Sequence, residues 1–161
     1  MKNTKLIINT KSKSYPIYFG NYIFTKIGFL IRKNLPEVKK ICVICDSKLP
    51  KELVEKLIKS LNKYEIKIYK LSANEKSKNL FVANTIIENL LKNNFNRSDC
   101  VLAFGGGIIG DVSAFISNLT KRGLKFVNVP TTLLSQVDAS VGGKTGLNSR
   151  HGKNLIGTFY Q

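Results

Sequence analysis

A chain of 161 residues, 43% hydrophobic and 9% aromatic, has material for one domain with a real core, which excludes a disordered chain. Lys and Arg number 26 against 10 Asp and Glu, a net charge of +16, but the basic residues are scattered singly, with lysine far in excess of arginine. That pattern counts against a nucleic-acid or membrane-surface partner and for a solvated lysine-rich surface that still draws in anionic ligands.

The first apolar run, Leu6, Ile7 and Ile8, is too short for a secretory or membrane-spanning segment, so a soluble, cytoplasmic protein is expected. Residues 6–9 and 15–19, separated by a Lys/Ser segment, read as a hairpin added at a sheet edge. Further strands are predicted at 41–45, 66–71, 101–104 and 126–129, several of them unbroken apolar runs of the kind covered on both faces. Helical stripes lie between them: Leu53, Val54, Leu57, Ile58 and Leu61, then Ala83, Ile86, Ile87, Leu90 and Leu91, then Val112, Phe115, Ile116 and Leu119. The alternation implies an α/β fold, a mostly parallel Rossmann-like sheet with helices on both faces and an N-terminal hairpin. Beyond Pro130, glycines among polar residues predict a loop-rich tail, and long loops in compact domains usually serve a site.

Cys42 and Cys45 have C-x-x-C spacing, but inside the strand run 41–45 residues three apart point to opposite faces. They are read as buried, reduced thiols instead of a redox pair or half a zinc site, and Cys100 has no neighbour in sequence.

The run ending at Phe104 leads into Gly105-Gly106-Gly107-Ile108-Ile109-Gly110-Asp111 and then the third helical stripe. Glycines there permit positive φ and let a phosphate meet bare backbone, while the first N–H groups of the helix supply donors. Gly105, Gly107 and Gly110 match the dinucleotide spacing, a weak signal alone. The turn comes late in the chain, and no acidic residue stands about 20 positions downstream, as an ordinary Rossmann ribose site would have. The alternative is a tight strand-to-helix connection. That needs one or two glycines, and four exceed the need. Asp46, just past its strand, reads either as an adenine-ribose acceptor or as a turn or helix cap.

Downstream stand Pro130-Thr131-Thr132-Leu133-Leu134-Ser135-Gln136-Val137-Asp138, then Val141-Gly142-Gly143-Lys144-Thr145, then Gly152-Lys153-Asn154-Leu155-Ile156-Gly157. In this order after the glycine turn they resemble the family of 3-dehydroquinate synthase and its sugar-phosphate cyclase relatives, clearly from residue 72 onward. The resemblance implies an NAD-binding N-terminal domain over residues 1–161. It implies conversion of 3-deoxy-arabino-heptulosonate 7-phosphate to 3-dehydroquinate in the shikimate route to aromatic amino acids. A ring hydroxyl is oxidised by bound NAD, phosphate is eliminated, the hydride returns, the ring opens, and an intramolecular aldol step closes the carbocycle.

The resemblance assigns Gly106, Gly107, Ile108, Ile109, Gly110 and Asp111 to the pyrophosphate and nicotinamide turn, Thr131 and Thr132 to the hydroxyl pair beside the cofactor, and Glu75 and Lys78 to its acid and lysine. Ala73 and Asn74 depart from the acidic residue and glycine that members usually have there. Asp138 resembles the carboxylate near the reacting ring, and Lys144, Lys153 and Asn154 the groups around cofactor and leaving phosphate. In the residues alone, Asp138 reads equally as a helix cap and the lysines as solvated charges. Arg122 resembles an arginine reaching the substrate phosphate across a dimer interface, so a homodimer is implied. His151 is the single histidine and is read as exposed and unspecialised.

The family's divalent metal, zinc or cobalt, is held by one glutamate and two histidines that follow the Phe159-Tyr160-Gln161 motif. No metal ligand is therefore expected among these residues, the helical metal-binding domain is expected to be absent from them, and alone they are expected to be inactive. Three other readings stay open: a cyclase acting on another sugar phosphate, an iron-type alcohol dehydrogenase relative, and a non-catalytic nucleotide-binding remnant.

Overall fold

The structure, a computed structural model, describes residues 4–11, 13–21 and 23–161. In chain order its elements are β1 (Thr4–Asn9), β2 (Ser14–Phe19), α1 (Ile27–Asn34), β3 (Lys40–Asp46), α2 (Lys51–Ser60), β4 (Glu65–Leu71), α3 (Leu80–Lys92), β5 (Cys100–Gly105), α4 (Gly107–Leu119), β6 (Lys125–Pro130), β7 (Leu147–Ser149) and β8 (Gly152–Ile156). Short 3-10 turns and a π-helical turn at Ser135–Ala139 join them. All six expected strands form, and the three apolar stripes fall on α2, α3 and α4.

Strands β3 to β6 make a four-stranded parallel sheet in the order β4-β3-β5-β6. Alternation along the strands divides the core in two. Cys42, Ile44, Val101 and Ala103 face α3 and α4, where Ala83, Ile86, Leu90, Val112, Phe115 and Ile116 meet them. Ile41, Val43, Cys45, Leu102 and Phe104 face α1 and α2, packing on Ile27, Ile31, Leu57 and Leu61. Covering both faces removes every residue of β5 from solvent, which is why that segment is apolar throughout. The two cysteines of the C-x-x-C sequence sit in opposite layers as expected. Burial pushes the Cys42 and Cys45 thiols upward, so neither is poised as a thiolate. No helix among the described residues is long and apolar enough to cross a membrane.

Three local expectations are corrected. The N-terminal hairpin β1–β2 does not extend the main sheet but forms its own two-stranded sheet. Most of β1 is exposed, so no covered stripe draws it onto an edge. The hairpin is fastened instead by side chains: Tyr18 Oη donates to Asn34 Oδ1 at 3.0 Å, and Tyr15 Oη accepts the Gly142 N–H at 3.0 Å. The tail is also more regular than expected, because β7 and β8 pair antiparallel. Helix α1 carries no long apolar stripe, and what seats it is Gly28: a Cβ there would lie 1.8 Å from the Ser60 carbonyl oxygen at the end of α2.

At the opposite edge from the glycine turn, one buried carboxylate fastens three strands. Asp99 is fully buried; its Oδ1 accepts the Lys40 N–H at 3.0 Å, its Oδ2 the Asn96 N–H at 2.9 Å, and its carbonyl the Lys125 N–H at 2.8 Å. Lys40, Cys100 and Lys125 begin β3, β5 and β6, so this residue sets the level from which all three strands start. Each buried donor that loses its acceptor costs about 1–3 kcal/mol. Asp99→Ala should therefore lower the unfolding free energy by roughly 2–4 kcal/mol in urea titration, with unchanged m-value.

Candidate functional site

The sheet order places a reversal between β3 and β5. The chain leaves β3 through α2 towards β4 on one side, and leaves β5 through α4 towards β6 on the other. No crossover spans the gap between them, so a crevice opens at their C-terminal ends, where ligands bind in open α/β sheets. The glycine turn follows β5 at this crevice, and Asp46 ends the neighbouring β3.

The glycines of the turn act by their bareness instead of by positive φ: none of Gly105, Gly106, Gly107 or Gly110 is among the positive-φ residues. At Gly105 the reason is internal, since a Cβ would come within 2.6 Å of the Ile109 side chain. At Gly107 and Gly110 an added Cβ would meet nothing nearer than 3.8 and 3.7 Å, so folding does not require glycine at either position. Helix α4 begins there with Gly106 as a cap that lends no side chain. The Gly110 N–H donates to the Gly106 carbonyl, which leaves the N–H groups of 107–109 with no partner inside the helix. Bare backbone, helix-start donors and the positive end of the helix dipole coincide at the crevice. That fits the phosphates of a dinucleotide and no other part of it.

Thr131 and Thr132 leave β6 beside this turn. The Thr131 N–H donates to the Gly105 carbonyl at 2.9 Å, and the Thr132 methyl group stands 3.3 Å from where a Gly106 Cβ would be. Ser135 fixes Thr132 through a 2.8 Å hydroxyl contact. Asp138 lies within the π-helical turn and caps nothing, and Ala139 next to it is the residue nearest Gly107. Among the described residues neither Asp138 nor Lys144 forms a side-chain ion pair, and both are exposed.

The charged groups form a second cluster over the start of α4. Lys78 is 5% exposed; its Nζ donates to Asp111 Oδ2 at 2.5 Å and to Asn154 Oδ1 at 2.6 Å. One ammonium thus joins the segment before α3, the first turns of α4, and strand β8. Burying a lysine is costly unless it is paired and hydrogen-bonded, and both partners here supply that compensation. Glu75 anchors the same hairpin from the other side: Asn148 donates to its Oε2 at 2.6 Å, and Lys153 lies 3.4 Å from its Oε1. Five residues far apart in sequence, Glu75, Lys78, Asp111, Lys153 and Asn154, therefore converge.

Asp46 and Arg122 stand apart from this cluster. Asp46 takes the turn role, accepting the Lys48 N–H at 3.0 Å, while remaining at the crevice through its strand. Arg122 lies beyond the far end of α4, a helix of 13 residues and so about 20 Å long, exposed and with positive φ. It cannot reach the crevice of its own chain. His151 is exposed and meets the tail only through its N–H to Ser149 Oγ. Among the described residues no group of three or more His, Cys, Asp or Glu side chains comes together to hold a metal. Asn148 is the participant the sequence did not single out, since nothing in Gly146-Leu147-Asn148-Ser149 signals a contact across 73 positions.

Residues 68–161 match the family model for the N-terminal part of 3-dehydroquinate synthase. The chain belongs to the 3-dehydroquinate synthase family. It is 51% identical over 157 residues to 3-dehydroquinate synthase of Pelagibacter ubique, covering 98% of this chain and 43% of that protein. Against the enzyme of the same name from Sulfurimonas denitrificans it is 46% identical over 122 residues, covering 76% and 35%. The chain thus spans less than half the length of these curated relatives. Its backbone superposes on 2-deoxy-scyllo-inosose synthase, solved with carbaglucose-6-phosphate, NAD+ and Co2+, with TM-score 0.89 and 25% identity over 98% of this chain and 42% of that one. For 2-epi-5-epi-valiolone synthase of Streptomyces hygroscopicus subsp. jinggangensis, solved with NAD+ and Zn2+, the values are 0.69 and 27%, over 78% and 36%.

In this member of the 3-dehydroquinate synthase family the Glu75 carboxyl is held below its ordinary range, first by the Asn148 hydrogen bond and then by the charge of Lys153. The folded value being the lower one, this contribution to holding the β7–β8 hairpin is present above the unfolded value and is lost as pH falls through the folded one. Carboxyl 13C titration should place the Glu75 midpoint below the ordinary glutamate value of about 4.3. A midpoint at or above that value would contradict the geometry.

Proposed function

We propose that this chain forms the NAD-binding part of a 3-dehydroquinate synthase, a phosphate lyase converting 3-deoxy-arabino-heptulosonate 7-phosphate to 3-dehydroquinate. The observation that carries the reading is the place of the glycine turn: bare backbone and free helix-start donors at the crevice where the sheet order reverses. NAD, when bound, supplies a transient hydride acceptor for a ring hydroxyl, which acidifies the neighbouring C–H and makes loss of phosphate feasible.

The chain's own residues do the positioning. N–H groups of 107–109 donate to the pyrophosphate, and the absence of side chains at Gly106, Gly107 and Gly110 lets it approach. Asp111, held by Lys78, fixes the far side of the turn; Thr131 and Thr132 offer hydroxyls along the cofactor; Asp46 stands where an adenine ribose would lie. Glu75 and Lys153 close the edge. Lys144 and Asn154 are assigned to the sugar phosphate, the lysine as a point charge on the leaving group, and Asp138 to the ring as a carboxylate able to accept a proton. Arg122 is assigned to the substrate phosphate of a neighbouring subunit in a homodimer, which its distance from its own crevice supports.

The described residues offer no ligand set for a metal, and no step is derived through one. The divalent metal of the complete enzyme, zinc or cobalt, is assigned to sequence outside these 161 residues, which alone should bind NAD and not turn over. Likeness of fold to 2-deoxy-scyllo-inosose synthase favours a second reading, a cyclase for another sugar phosphate, but the higher identity to 3-dehydroquinate synthases favours the first.

Calorimetric titration with NAD should give a saturable isotherm. Gly107→Ala should leave stability within about 0.5 kcal/mol of the parent, since the space is open, and weaken NAD by at least about tenfold, since the Cβ stands in the path of the phosphate. Saturable binding unaffected by the substitution would leave the turn as a mere connection, and no saturable heat from the parent would favour the remnant reading.

A further inference from the structure

Residues 147–156 reach the site through Asn148, which the proposed chemistry leaves unused. Its side chain is double-ended. The Nδ2 group donates to Glu75 Oε2 at 2.6 Å and to the Glu75 carbonyl at 3.2 Å, while Oδ1 accepts the Asn154 N–H at 3.1 Å. Its own N–H donates to the Lys78 carbonyl at 2.7 Å. The amide orientation follows from its neighbours, because a carboxylate only accepts and a peptide N–H only donates.

Asn154 needs such a restraint. Its φ is +57°, in the left-handed region, and its Oδ1 must point at the Lys78 ammonium. Close approach is built in on the other side as well: a Cβ at Gly146 would lie 2.9 Å from Asn154 Oδ1. Among residues of this size only a carboxamide offers a donor and an acceptor on one rigid plane. Aspartate keeps the acceptor and loses the donor, and alanine loses both.

We propose that Asn148 is the positioning residue of the NAD site, locking Glu75 and Asn154 to one another through the two ends of its carboxamide. The inference rests on the reading of this crevice as an NAD site. Asn148 touches neither cofactor nor substrate; it acts through the two residues it joins, and through them on Lys78. The charged groups facing it are Glu75 from the segment before α3, Lys78 with its partner Asp111 from α4, and Lys153 from β8.

The test combines amide hydrogen exchange with NAD titration on the 161-residue chain, Asn148→Asp and Asn148→Ala, with circular dichroism to confirm folding. In the unsubstituted chain the Asn154 amide should be protected; exchange at the rate of an open chain would overturn the proposal without any variant. In Asn148→Ala that amide should exchange at least about tenfold faster, and NAD should weaken at least about tenfold at every pH, as loss of a hydrogen bond to a charged group implies. Asn148→Asp sets two carboxylates against each other, so its deficit should be about tenfold near pH 8 and shrink to within about threefold near pH 5, where one shared proton restores the donor. An Asn148→Asp deficit that is flat with pH and equal to that of alanine would assign the residue a merely structural role and sink the proposal. Wild-type affinity in both variants would do the same. If the unsubstituted chain binds no NAD, the functional reading fails on its own, and the Asn154 exchange rates still decide whether the clamp exists.

Discussion

Between β3 and β5 the sheet has a gap that its own connections leave uncovered. Everything proposed for this chain depends on it. Parallel strands force each connection to travel over a face, and when successive connections leave in opposite directions the carboxyl ends at the point of divergence stay open. The glycine turn is placed there by the two buried strands that flank it, β3 and β5, whose side chains fill both core layers. Asp99 fixes the other ends of the same strands, so the level of the crevice is set by a carboxylate about a strand length away from it.

Around this crevice the chain holds its charges in reserve. Most of its 26 basic side chains are solvated, but Lys78 is buried between Asp111 and Asn154. A surface lysine pair contributes little, while a buried one is stable only when its partners are fixed. Fixing them requires the tail to fold back, and it does so as a short hairpin tied by Asn148, Lys153 and the Glu75 carboxylate. The local order of residues 147–156 and the electrostatics of the turn are thus one property. The N-terminal hairpin belongs to the same arrangement, since the Tyr15 hydroxyl takes the Gly142 N–H in the loop that carries Lys144.

The framework was legible because it is written in periodicity. Apolar runs at 41–45 and 101–104 can only be strands covered twice, and the stripes of α2, α3 and α4 repeat with the helical period. Helix α1 escaped because it is held by a single backbone approach at Gly28, which leaves no stripe. The glycine turn was legible as a motif, but its reason was misjudged: positive φ plays no part, and open space at Gly107 and Gly110 is what distinguishes it from a plain turn. The residues of the site were reached through family resemblance, since contacts such as Lys78 to Asn154 across 76 positions leave no local trace. Asn148 shows where both routes end, because its importance lies in a pairing that exists only once β7 and β8 have docked.

The central claim is that the amides opening α4 receive the phosphates of a dinucleotide, and amide-resolved 15N spectra recorded during addition of NAD test it most directly. The account predicts that the largest, saturable shifts fall on residues 106–110, followed by Thr131 and Thr132. Saturable shifts elsewhere with those amides unmoved would contradict it.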